Sequence, residues 1–225
     1  MASVTAPASS LATILGPAGP TGDTTGERIL DAAYEHVLDF GIRNLSVEAV
    51  ARRVGIARVT VYRRFAGKDD LLRAVLFREG RRVFAQVDAV VAGMASPEQQ
   101  LVEGFTATLA AVRLHPLVQR TLQREPEMLA TVLVRQGGAM VALARAYLAG
   151  HIRAGQRAGR LAGFDPDAAA ELAVRLSVSF LLTPQSCIPL ETDDDARAFA
   201  RTYLVPALAS LSPPPATEDA RRSRR

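Results

Sequence analysis

Seven of the chain's 27 basic side chains fall between positions 43 and 68: Arg43, Arg52, Arg53, Arg58, Arg63, Arg64 and Lys68. Glu48 is the one acid among them, so this short segment carries a net +6, while the whole 225-residue chain carries +4. The remainder is therefore net acidic, at −2. Positive charge gathered on one small unit is what binding to a phosphate backbone uses, because each neutralised phosphate releases condensed counterions.

No comparable set of groups points to catalysis. His36, His115 and His151 are isolated, with no partner four residues away and no HExxH pattern. Two of them lie in apolar helical patterns, where packing or capping accounts for them. Cys187 is the single cysteine, so no intrachain disulfide can form, in keeping with a reducing cytoplasm. Asp193, Asp194 and Asp195 invite a metal reading, but acids at a helix start already suit its positive end. No Gly-rich phosphate loop is present. The expectation is no enzymatic activity, no metal and no cofactor.

The basic segment needs a scaffold, and its apolar residues supply one. Ser46 can cap a helix that carries Val47, Val50 and Val54 on one stripe, with small Ala51 letting a neighbour cross closely. Gly55 falls where a turn needs a left-handed residue, Ile56 plugs that turn, and Val61 and Phe65 face inward from a second short helix, Arg58 to Phe65. Two short helices joined by a glycine-bearing turn make a helix-turn-helix.

The rest of the chain also reads as helix, with no sustained two-residue alternation. Helices are predicted over Thr25–Asp39, stopped by Gly41; Lys68 to about Val91; Pro97–Arg113 behind a Ser96 cap; His115–Leu122; Pro126 to about Arg160, with a weak point at Gly137-Gly138; Pro166–Thr183 behind Asp165; and Asp193–Leu211, kinked by Pro206. The fold class is all-α, about nine helices: an N-terminal three-helix domain over 24–70 that holds the basic helix-turn-helix, and a C-terminal helical domain over 71–211. Residues 1–23 and 212–225 read as disordered tails, the second basic. The start is not a convincing signal peptide, and the longest uncharged run, Leu176–Leu190, falls short of the ~20 residues that span a bilayer. The expectation is a soluble cytoplasmic protein with no membrane partner.

Gly26 to Leu72 resembles the DNA-binding domain of the TetR family of transcriptional regulators. The matching run is Gly41-IRNLS-VEAVARRVGIARVTVYRRF-AGKDDLL, with the turn glycine, the recognition-helix tyrosine, the phenylalanine and the following lysine at Gly55, Tyr62, Phe65 and Lys68. The resemblance implies that Ser46 and the amides after it meet a phosphate. It implies that Arg58, Val59, Thr60 and Arg63 face the major groove, that Tyr62 bonds a phosphate, and that Lys68 clamps another. Ala57 and Gly67 depart from the usual capping residues, so side-chain capping is expected to be absent there. Alternatives stay open: Tyr62 as the edge of the core, Lys68 as an ordinary surface lysine, Arg52 and Arg64 as solvated or locally paired. Which of Arg58 and Arg63 reads a guanine and which holds a phosphate is also open.

One such head covers about one half-site, so a homodimer on a pseudo-palindromic double-stranded operator is expected, with heads ~34–36 Å apart. The resemblance implies a four-helix bundle between subunits from the last two helices, with Leu172, Leu176, Phe180, Phe199 and Tyr203 as interface candidates; a purely intrachain core is the alternative. It also implies a small-molecule cavity, for which Phe77, Phe105, Leu109, Met128, Val132, Gln136, Met140 and Tyr147 are candidate lining residues, and a fairly apolar effector. Together these describe a repressor released by its effector. A transcriptional activator and a helical adaptor for another protein are the rival readings.

Overall fold

Most of the helices begin where a side chain can satisfy a free amide or a proline removes one. In the computed structural model, which describes residues 24–161, 163–183 and 186–210, nine helices follow one another among the described residues. They are α1 (Thr24–Phe40), α2 (Val47–Val54), α3 (Arg58–Tyr62), α4 (Lys68–Val91), α5 (Pro97–Arg113), α6 (Pro116–Arg124), α7 (Pro126–Arg157), α8 (Pro166–Leu182) and α9. The last runs as Asp193–Phe199, a π-helical turn Ala200–Leu204, and Val205–Ser210. The two tails expected at 1–23 and 212–225 lie outside the described residues.

Ser46, Ser96, His115, Asp165 and Thr192 cap α2, α5, α6, α8 and α9 through their side chains. Proline occupies the first turn of α5 to α8, where its missing N–H costs nothing. Thr192 and Asp195 complete a capping box, which accounts for the acidic start of α9 without a metal. Ala57 and Gly67 provide no side-chain cap, as expected. Asp70 compensates at the second site by accepting the Ala66 N–H at 2.9 Å.

Three elements differ from their predicted form. The recognition helix α3 ends at Tyr62, although the Phe65 N–H still bonds the Val61 carbonyl at 2.9 Å, so one irregular turn carries the chain on to Phe65. The Gly137-Gly138 pair leaves α7 unbroken over 32 residues. Ahead of Pro206 the irregularity in α9 takes the form of a π turn, which re-routes the Val205 N–H to the Ala200 carbonyl. By length and composition α7 is long and apolar enough to cross a membrane; here it packs on α8, α6 and α4.

The N-terminal core joins Ile29, Ala33, Val37, Ile42, Leu45, Val50, Val61, Leu71 and Val75. It does not stop at position 70. Leu117 of α6 is buried within it, and Met128 and Val132 of α7 pack against it. A second core pairs α5 with α9 around Phe105, Leu109 and Phe199, and smaller clusters join α4 to α7 and α7 to α8.

Candidate nucleic-acid interface

Gly55 sets the geometry of the reading head. Its φ of 76° is left-handed, and its N–H bonds the Ala51 and Arg52 carbonyls, closing α2 so that α3 can leave at a sharp angle. Val61 is fully buried and seats α3 on the core. The opposite side of α3 then faces outward. Arg58, Val59, Tyr62 and Arg63 are exposed and Thr60 is half-exposed. Val59, at 63% exposure, is an apolar side chain projecting from the most basic part of the molecule, as contact with a thymine methyl in the major groove would require.

The basic groups around this face are unequally engaged. Arg53 is paired with Asp39 at 3.0 Å and Arg43 with Glu127 at 2.8 Å. Arg58 reaches Glu48 on α2 at 2.9 Å and lies 5.7 Å over the Tyr62 ring. Arg63 has no ion pair among the described residues. Lys68 Nζ donates to the Arg43 carbonyl at 2.5 Å, steadying the loop between α1 and α2. Ser46 Oγ accepts the Ala49 N–H at 3.3 Å, and its hydroxyl donates to Glu48 Oε2 at 3.1 Å. Hydrogen bonds from its own backbone N–H and from Ser46 hold the Glu48 carboxyl below the usual carboxylate range, so it is charged at neutral pH.

The head is fastened to the C-terminal helices by groups no sequence pattern marks. Arg120 and Arg124 of α6 donate to the Leu38 and Asp39 carbonyls at 2.8 and 2.9 Å, capping the end of α1. Glu125, between α6 and α7, accepts the Ile42 N–H at 2.9 Å. Farther along, Arg78 of α4 is only 4% exposed and bonds Asp31, the Leu30 carbonyl and the neighbouring buried Glu79. Glu79 in turn meets Arg82 at 2.8 Å and His115 at 3.6 Å. Because His115 Nδ1 accepts the Leu117 N–H, the ring proton sits on Nε2, toward Glu79. Glu79 of α4 is thus the centre of a buried ionic knot joining α1, α4 and α6.

The eight cavity candidates are not brought together. Met128 and Val132 belong to the head's core, Phe105 and Leu109 to the α5–α9 core, and Phe77 and Tyr147 to the α4–α7 cluster. Met140 touches α4 where Gly80 lets the two helices approach, while Gln136 is half-exposed one turn away. Tyr147 stacks on Phe84 at 4.3 Å, and its hydroxyl donates to Asp88 at 2.6 Å. His151 completes the set, 3.0 Å from Asp88. Burial and the Asp88 hydrogen bond push the Tyr147 phenol well above its usual value. A cleft of about 320 Å3 opens elsewhere, between α4, α5 and α9, edged by the Glu103–Arg197 pair; none of the eight lines it.

Of the interface candidates, Leu172, Leu176 and Tyr203 are exposed, at 54%, 43% and 54%, and Phe180 is half-buried. Phe199 is a correction. At 6% exposure its ring lies between Phe105 and Phe180 within one chain and has no surface to offer a partner.

A family profile described as bacterial regulatory proteins, tetR family, matches residues 29–75. An uncharacterized HTH-type transcriptional regulator from Mycobacterium bovis is 30% identical over 166 residues, covering 73% of this chain and 80% of that protein. In fold the chain is similar to the R. erythropolis transcriptional repressor QsdR, with TM-score 0.63 and 21% identity over 85% of this chain and 97% of that one. It is also similar to the TetR family repressor AlkX from Dietzia sp. strain DQ12-45-1b, implicated in biodegradation of n-alkanes, with TM-score 0.62 and 20% identity over 83% and 96%.

Proposed function

This chain belongs to the TetR family of helix-turn-helix transcriptional regulators, and from that premise we propose that it is a homodimeric repressor released from its operator by a small molecule. The observation that carries this reading is the outward row Arg58, Val59, Thr60, Tyr62 and Arg63 on a helix anchored by the buried Val61. Val59 and Thr60 meet base edges, while Tyr62 and Lys68 hold phosphates on either side. A DNA-bound regulator works where the chromosome is, hence the cytoplasm.

The second head comes from a twin subunit. Leu172 and Leu176 stand one helical turn apart on α8 as an apolar stripe open to solvent, and Tyr203 of α9 is exposed as well. Two such faces close as a four-helix bundle, and burial of this apolar area drives the association.

The effector enters along the α4–α7 seam near Phe77, Met140 and Tyr147. Its body is apolar, and Asp88, Tyr147 and His151 supply polar groups at one end. The n-alkane association of AlkX, a repressor of similar fold, fits an aliphatic body. Release follows by linkage. A ligand that prefers a shifted placement of α4 against α7 moves Leu71, Leu72 and Val75 in the head's core, and the spacing between heads no longer matches one turn of DNA.

Duplex binding across a salt series tests this reading. Steeply salt-dependent selection of a palindromic sequence from a randomised duplex pool is expected, together with lower reporter expression from that sequence. Failure to select any sequence, or raised expression, would overturn it.

A further inference from the structure

We infer that Glu48 is the specificity-determining partner of Arg58: it fixes the guanidinium so that its remaining donors read a base, and this assigns phosphate binding to Arg63. The inference rests on the DNA-binding reading above and deepens it.

The Glu48 carboxylate is held in place before any DNA arrives. Oε2 accepts the Ser46 hydroxyl at 3.1 Å, and its own backbone N–H and the Ser46 hydroxyl together keep it ionised. Oε1 lies 2.9 Å from an Arg58 terminal nitrogen. On its other side the Arg58 guanidinium lies over the Tyr62 ring, 5.7 Å from its centre. A guanidinium has five N–H donors in a rigid plane, so with one edge given to Glu48 and one face to Tyr62 the rest point in a fixed direction. A long side chain held this way loses little further rotamer freedom on forming two parallel bonds to guanine O6 and N7.

The same carboxylate makes Arg58 a poor phosphate ligand. A pair that is already neutral attracts a distant anion weakly, and a phosphate brought to Arg58 meets Glu48 at close range. Glu48 also sits in the first turn of α2, among the free amides where the family resemblance implies a phosphate beside Ser46. That position is filled by the chain's own anion. Arg63, on the same exposed side of α3 with no ion pair among the described residues, keeps its full charge for the backbone.

The experiment compares the parent protein, Glu48→Ala, Arg58→Ala and the double variant on duplexes selected by the parent from a randomised pool. Affinity is measured for every single-base change across one half-site and for an unrelated duplex. Arg58→Ala is expected to erase a preference of roughly tenfold or more for guanine at one position. Glu48→Ala should erase most of the preference at that same position while binding the unrelated duplex more tightly, and the double variant should resemble Arg58→Ala. Thermal melts of each variant keep folding separate from recognition. The proposal is overturned if Glu48→Ala retains the parent's base preferences, or if Arg58→Ala weakens all duplexes alike. A parent that selects no sequence defeats the DNA-binding reading itself, a different result from either.

Discussion

Glu125 and Ile42 stand 83 residues apart in the chain and 2.9 Å apart in space, joined by a hydrogen bond from the Ile42 N–H to the Glu125 carboxylate. This bond crosses from the C-terminal helices to the loop that enters α2. It closes beside Gly41, whose φ is +87° and where an added Cβ would lie 2.6 Å from the same carboxylate. Gly41→Ala therefore meets two penalties, a left-handed backbone and displacement of the Glu125 carboxylate, which gives up its bond to the Ile42 N–H. We expect a loss of about 2 kcal/mol or more in urea unfolding, against about 1 kcal/mol for Gly55→Ala, which has the same backbone sign but open space around it. The difference should shrink when Glu125 is alanine; equal losses at both glycines would remove the steric part of the argument.

Arg78 is the most deeply buried charge of the knot at the α1–α4 crossing. Arg78→Leu leaves the Glu79 carboxylate buried with Arg82 and His115 as its remaining partners. Breaking one side of a buried pair costs about 3–5 kcal/mol, and with these partners left the lower end is expected. Chemical denaturation of the two proteins at neutral pH provides the comparison, and a change under 1 kcal/mol would mean the knot is solvated.

How much of this was legible in the sequence depends on the range of the interaction. Gly55, the Ser46 and Ser96 caps and the Asp165-Pro166 start are local signals, readable because the partners lie within a few residues. The outward set on α3 was readable for the same reason: a helix that buries Val61 must turn Arg58, Tyr62 and Arg63 away. Glu125 on Ile42, Arg120 on Leu38 and His151 on Asp88 join distant segments through polar atoms, and no periodicity encodes them. Phe199 and Tyr203 look alike in an apolar pattern, which cannot separate a chain's own core from a partner's contact. The cavity candidates scattered for the same reason.

His115 gives stability a pH dependence. Burial lowers its pKa below the ordinary 6.5, outweighing the opposite pull of Glu79. The unfolded chain then binds more protons than the folded one in the interval just below 6.5, so stability rises with pH across it. This contribution is fully present above 6.5 and is lost as the pH falls toward the folded value. Urea midpoints should decline on acidification below 6.5, and His115→Gln should flatten that decline; an unchanged slope would place the proton uptake elsewhere.

Lys68→Ala and Tyr62→Phe act on all sequences alike if these groups hold phosphates. The slope of log affinity against log salt should drop by about 1 for Lys68→Ala, with little change in base preference. Salt titration on two unrelated duplexes measures both quantities. A parental slope in Lys68→Ala would leave the lysine only its bond to the Arg43 carbonyl.

Leu176→Glu places a charge on the solvent-facing apolar stripe of α8 without touching the chain's own core. Sedimentation should show a monomer, and operator affinity should fall far more than binding to a single half-site. A dimer that survives this change, and Leu172→Glu as well, would move the interface away from α8.

The dependence of the reading head on Leu117, Met128 and Glu125 also has a consequence for how the protein is made. A ribosome adding 5–20 residues per second finishes α3 several seconds before it reaches these positions. During that interval the nascent head lacks both part of its apolar floor and the carboxylate that fixes its entry loop. A truncated translation product would share the defect. An abandoned fragment thus carries a loosely held reading head, and only a chain that has acquired α6 and α7 presents a firmly ordered one to DNA.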